Sequence, residues 1–163
     1  MSTQAIGAAA AGTAVVGGGG ALAAYAAGAF NGETKYESFD DYFQKTLSKT
    51  HKYVSETDYQ PIETKIGESA GSNTYKTSLT THWSKMGSND VPADGEPTQK
   101  PETIDTSWSN KTDVAKWTFK WCNSRKTKKP SGDEKMWIRE EIERNLEWQT
   151  FKSVCLEERP KQQ

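Results

Sequence analysis

Two cysteines, Cys122 and Cys155, are the only thiols in this 163-residue chain, and they carry its clearest covalent option. In an exported protein such a pair forms a disulfide, whereas in a reducing compartment it stays as buried thiols. A bridge would close a loop of about 33 residues and restrain the unfolded chain by roughly 3–4 kcal/mol. Geometry sets a condition. If the helices carrying the cysteines ran straight and antiparallel, the thiols would lie ~30 Å apart at 1.5 Å per residue. A disulfide needs ~4.4–6.8 Å between Cα atoms. The bridge therefore requires the final helix to break, around Asn145 to Gln149, or the two helices to cross differently.

The second chemical feature is a run of positive charge. Lys111, Lys116, Lys120, Arg125, Lys126, Lys128 and Lys129 face a single acid, Asp113, and are interleaved with Trp117, Phe119 and Trp121. Lys116, Lys120, Arg125, Lys126, Lys128 and Lys129 form the candidate patch for an anionic partner. Anionic lipid headgroups or sulfated host glycans would suit the charge. Single-stranded nucleic acid could stack on the rings, and is the least favoured of these partners. The plainer reading, a core helix with a solvated basic end, takes precedence. Nothing else has the spacing of a reactive site. His51 and His82 stand alone, without an HxxxH or CxxC pairing, so no metal site is expected. No phosphate loop, G-x-S-x-G elbow or kinase signature occurs, so neither a cofactor nor catalysis is expected.

These residues need a scaffold, and the chain divides sharply in composition. Residues 5–30 hold no charged side chain and are nearly all Ala and Gly, with Ile6, Val15, Val16, Leu22, Tyr25 and Phe30 as larger members. The stretch is long enough to span a ~30 Å hydrocarbon core, although Gly17 to Gly20 weakens it as a helix. Gly20, Ala24 and Gly28 recur at four-residue spacing, which lets membrane helices pair closely. The segment is thus expected to be a transmembrane helix. Its rivals are a cleavable signal, with Ala24-Tyr25-Ala26 or Ala27-Gly28-Ala29 as the cleavage site, and a soluble flexible tail. Lys35, Lys45, Lys49 and Lys52 follow closely, and by the positive-inside rule they would hold the rest of the chain in the cytoplasm.

The remainder is near charge balance, with a formal net charge of -1, which excludes a globally basic or acidic binder. Aliphatic residues are scarce there, so a core must rest on a few large aromatics. Tyr36, Phe39, Tyr42, Phe43 and Leu47 predict a helix over 36–47, opened by the charged turn at 33–37. Residues 55–73 read as irregular. Tyr75, Leu79, Trp83 and Met86 predict a helix ending near Gly87, and residues 88–106, rich in Pro and acid, read as a linker. Val114, Trp117 and Trp121 predict a helix over the basic run, although alternating Trp117, Phe119 and Trp121 leave a short strand open. Ser131 to Glu134 has capping-box form and announces a last helix carrying Met136, Trp137, Ile138, Ile142, Leu146, Trp148 and Phe151, with Glu140 and Arg144 paired. The expected fold is mainly α: an N-terminal transmembrane or signal helix at 1–30, a helical half at 31–87, a Pro-rich linker at 88–106, and a second helical half at 107–163.

The layout resembles the large paralogous families of short uncharacterised membrane-associated proteins of haemotropic mycoplasmas. The likeness rests on the Ala/Gly-rich start, the small polar domain, the Trp121-Cys122 pair and the late Phe151-Lys152-Ser153-Val154-Cys155. It implies a protein anchored in the cell membrane of a wall-less parasite, its domain extracellular, serving host contact or antigenic display. Host surface proteins or glycans would then be partners. The alternative is a cytoplasm-facing, membrane-tethered module that binds anionic lipid or nucleic acid through residues 111–129.

Overall fold

The computed structural model describes residues 34–68, 73–105, 107–131 and 135–160. The apolar segment with Gly20, Ala24 and Gly28 lies outside them, as do Gly132 to Glu134 of the expected capping box. Thr34–Gln163 forms one compact unit, and it is mainly α.

Strand β1 (Lys35–Tyr36) leads into α1 (Phe39–Tyr42), which continues as a π-helical turn over Phe43–Leu47. Ser38 fixes the start: its Oγ accepts from the Asp41 N–H at 3.2 Å, satisfying one of the free donors of the first turn. The helix expected from Tyr36 thus begins three residues later, and Tyr36 is in β1. Strand β2 (His51–Tyr53) follows, then α2 (Gln60–Gly67). That helix corrects the expectation of an irregular stretch. Pro61 sits in its first turn, where a missing N–H costs nothing. Ile62 and Ile66, one turn apart, are both buried.

Helix α3 (Thr74–His82) is capped by Asn73, whose Oδ1 accepts from the Lys76 N–H at 3.0 Å, and ends in a 3-10 turn at Trp83–Lys85. Helix α4 (Lys111–Lys126) buries Val114, Trp117 and Trp121 on one face, as their spacing predicts, and the strand alternative falls away. Next come β3 (Trp137–Ile138), α5 (Arg139–Arg144), α6 (Leu146–Cys155) and β4 (Leu156–Glu158). The single last helix of the sequence reading is therefore two helices and two strands. The capping contact sits later than expected, where the Glu141 carboxylate accepts from the Ile138 N–H at 2.9 Å. The helical ion pair on α5 is Arg139–Glu143 rather than Glu140–Arg144. Two residues assigned to the buried face, Met136 and Leu146, are 41% and 76% exposed.

Residues 88–105 carry no helix or strand, as a linker would, yet they do not separate two halves. Antiparallel β1–β3 pairs Tyr36 with Trp137, and β2–β4 pairs Tyr53 with Leu156. A single core runs through both sides, with Phe39 stacked edge-on against Trp148 at 5.1 Å and Trp83 against Trp117 at 5.3 Å. The stretch is itself pinned. The Lys100 ammonium donates to the carbonyls of Trp83 (2.5 Å) and Met86 (3.0 Å) and lies over the rings of Trp83 and Trp117. Desolvation there pushes the Lys100 pKa below its usual value. Val91 and Ile104 also pack on the core, so the polar composition concealed real anchoring.

Candidate functional site

Cys122 on α4 and Cys155 at the end of α6 are joined in a disulfide, with Cα atoms 5.7 Å apart. The condition set by geometry is met by a break in the last helix at Asn145. That residue is extended (φ -70°, ψ 121°), ending α5 and starting α6. Its Oδ1 accepts from the N–H groups of Glu147 (2.9 Å) and Trp148 (3.1 Å), so the cost of the interruption is offset by a full N-cap. Both cysteines are buried, and the Cys155 carbonyl accepts from Val54 N–H at 2.9 Å, beside the β2–β4 ribbon.

The basic residues of α4 do not form one patch. Lys116 lies over Tyr59 at 5.3 Å, and Lys126 over Tyr53 at 4.1 Å, where burial lowers its pKa. Lys120 donates to the carbonyls of Asp94 (2.7 Å), Gly95 (3.2 Å) and Pro97 (3.1 Å), a second pin on the 88–105 stretch. Arg125 is 1% exposed. Its Nη2 donates to the carbonyls of Gly87 (3.4 Å) and Asn89 (2.7 Å), and its Nη1 to Ser124 Oγ (3.1 Å). Nε lies 2.5 Å from Glu147 Oε1, but its N–H is not aligned on that oxygen, so this contact is charge pairing rather than a directed bond. Lys128, half-buried just beyond the helix, pairs with Glu147 (3.4 Å) and Asp90 (3.8 Å), and Lys129 alone of the six is exposed. Trp117 and Trp121 are in the core and Phe119 packs on it, so these rings offer no stacking faces.

What sequence spacing did not reveal is a recess around Arg125. A cavity of about 560 Å³ opens between the end of α3, the turn after it, the end of α4 and the first turn of α6, within the usual volume range of ligand pockets. Arg125 and Thr150, both almost fully buried, line it. Lys85, Lys128, Glu147 and Leu146 line it too, and an adjoining cavity of about 640 Å³ shares Asp90, Arg125 and Lys128 and adds Lys129. The His82 imidazole, 3.5 Å from Thr150 Oγ1, is held below its usual pKa by burial and by the charge of Lys85, and is neutral at pH 7. Four separate segments build this recess, so no local motif could have announced it. Asn145 followed by Glu147, the signal of a helix start, was the one available hint.

No group of three His, Cys, Asp or Glu side chains among the described residues is placed to hold a metal ion. No helix among those residues is long and apolar enough to cross a membrane. Comparison with known proteins gives no match to a protein-family model, a curated protein or a solved structure.

Proposed function

We propose that the chain is a membrane-tethered protein whose small helical domain faces outward from the cell and serves binding or display rather than catalysis. The observation that carries this reading is the Cys122–Cys155 disulfide. Bridges of this kind persist in oxidising surroundings and are kept reduced in the cytosol. The uncharged residues 5–30 supply the tether, and the resemblance to surface families of haemotropic mycoplasmas agrees with host contact or antigenic display.

The rival, a cytoplasm-facing module using residues 111–129 on lipid or nucleic acid, has less to work with. Lys116, Lys120, Arg125 and Lys126 are engaged within the domain, and the aromatic faces are in its core. The lysines after the apolar segment are its main support; of these, Lys45 and Lys52 are paired with Asp41 and Glu157. Protease treatment of intact cells separates the two. An outward domain is digested while a cytoplasmic marker survives; a domain that survives while a known surface protein is cut contradicts the proposal.

A further inference from the structure

Residues 91–105 cross the domain without a helix or strand of their own, and side chains rather than a backbone ladder fasten them to it. The backbone bonds at their two ends are local, from Val91 N–H to the Ser88 carbonyl and from Trp108 N–H to that of Asp105. Two ammonium groups make the long-range ties, in opposite directions. Lys100 reaches out of the stretch to the carbonyls of Trp83 and Met86, in the turn after α3. Lys120 reaches out of α4 to the carbonyls of Asp94, Gly95 and Pro97. Neither lysine pairs with a carboxylate among the described residues. A carboxylate would offset the loss of hydration in full charge, and a carbonyl offsets less of it. The lowered pKa of Lys100, caused by burial, records that deficit.

The ends of the stretch carry a second cost. Asp90 (φ 62°) and Trp108 (φ 58°) are the non-glycine residues with positive φ among the described residues, and they flank it on either side. A side chain as bulky as Trp rarely adopts that backbone, and such strain persists only where surrounding contacts enforce it. Those contacts are shallow here, since Val91 and Ile104, just inside the two ends, pack on the core but are only partly buried. Under the middle lie the indoles of Trp83 and Trp117, almost fully buried, with the Lys100 ammonium 4.8 and 5.3 Å from their ring centres.

We propose that residues 91–105 are a strap that lifts from the domain as a unit, turning at Asp90 and Trp108, with Lys100 and Lys120 as its two latches. Lifting relaxes both left-handed residues, returns both ammonium groups to water and uncovers the indoles of Trp83 and Trp117. It leaves α3 and α4 folded, so it is a local opening with a lower free energy than global unfolding. The two latches set how often the strap is open. Without them the five carbonyls lose their donors in the closed state and regain water in the open one. The proposal does not depend on which side of the membrane the domain faces, or on what it binds.

Thermolysin, which cuts before large apolar residues, tests it on the full chain in detergent micelles without reductant, with cut sites assigned by mass spectrometry. The Thr103–Ile104 bond is shielded while Ile104 packs on the core, and Thr118–Phe119 lies inside α4. Cutting at Thr103–Ile104 should be about tenfold or more faster than at Thr118–Phe119. Its rate should stay nearly flat in urea below the unfolding transition, because a local opening exposes little surface. Lys100→Met with Lys120→Met should raise the Thr103–Ile104 rate about tenfold or more, and each single variant about threefold. Lys35→Met, on β1, is the control and should leave it unchanged. Equal rates at the two bonds with the same steep urea dependence would mean that the strap opens only with the whole domain, and overturn the proposal. A Thr103–Ile104 rate that none of the latch variants raises overturns it as well, as does an equal rise in the Lys35→Met control.

Discussion

Two helical stretches meet at the disulfide, and they are built in opposite ways. Helix α4 runs unbroken for 16 residues, with its apolar face in register from Val114 to Trp121. The stretch from Arg139 to Cys155 carries as many apolar residues but is cut at Asn145 into helices of 6 and 10 residues. Continuity serves α4 because one face supplies the core from end to end. Interruption serves the other because a straight rod could not bring Cys155 back to Cys122 while Ile142 stays buried. The lesson is that a covalent constraint can decide where a helix ends more firmly than its hydrophobic period does. At Asn145 the chain gives up one turn of helix, regains a cap, and leaves Leu146 in solvent.

Removing the covalent constraint is the most disruptive change. The double variant Cys122→Ala with Cys155→Ala should lose about 3–4 kcal/mol, measured by denaturant unfolding at pH 7. A loss below about 1 kcal/mol would mean that packing alone seats α6 on α4. Next in size is the second link between the two stretches. Arg125→Met keeps an apolar stem but removes the guanidinium that lies over Trp121, strands the carbonyls of Gly87 and Asn89, and leaves Glu147 with Lys128 as its only paired cation. We expect about 2–3 kcal/mol, since it removes buried hydrogen bonds from a charged donor.

Smaller again is the cap itself. Asn145→Ala should cost about 1 kcal/mol, because two N–H groups of α6 lose their acceptor. An unchanged midpoint would place the stability of the break in the disulfide alone. The mildest probe is acid, acting on the ribbon that follows Cys155. Burial raises the Glu157 pKa, but the hydrogen bonds from Lys65 and Lys52 outweigh that and hold it below its ordinary 4.5. A depressed carboxylate binds fewer protons in the folded state, so its contribution is present above about pH 4.5 and lost as pH falls through the folded value. Asp41 and Glu143 are lowered in the same net direction. His51 and His82, lowered chiefly by burial, add a loss that begins below their ordinary 6.5. Thermal midpoints should therefore hold from pH 7 to 8 and fall on acidification. Lys52→Met with Lys65→Met should flatten the drop below pH 4.5.

Where one apolar face persisted, the sequence was a sufficient guide. Val114, Trp117 and Trp121 gave α4, and Tyr75, Leu79, Trp83 and Met86 gave α3 with its last turn. Elsewhere the signal was too small or too long in range. Helix α2 shows only Ile62 and Ile66 as buried apolar residues, and its glycine-flanked setting masked Pro61 as a start. The 88–105 stretch is fixed by Lys100 and Lys120, whose partners are carbonyls and rings that composition does not display. The basic run of α4 was visible, but its division into engaged and free lysines depends on Tyr53, Tyr59 and Pro97, all distant in sequence. The recess was invisible for the same reason.

The state of the two cysteines in the cell tests the central claim most directly. Cells are lysed in excess alkylating agent without reductant, and the intact chain is weighed by mass spectrometry before and after reduction. An outward-facing, bridged domain gives an unalkylated chain that gains the mass of two hydrogens on reduction and then accepts two alkyl groups. A chain carrying two alkyl groups before any reductant is added would contradict it.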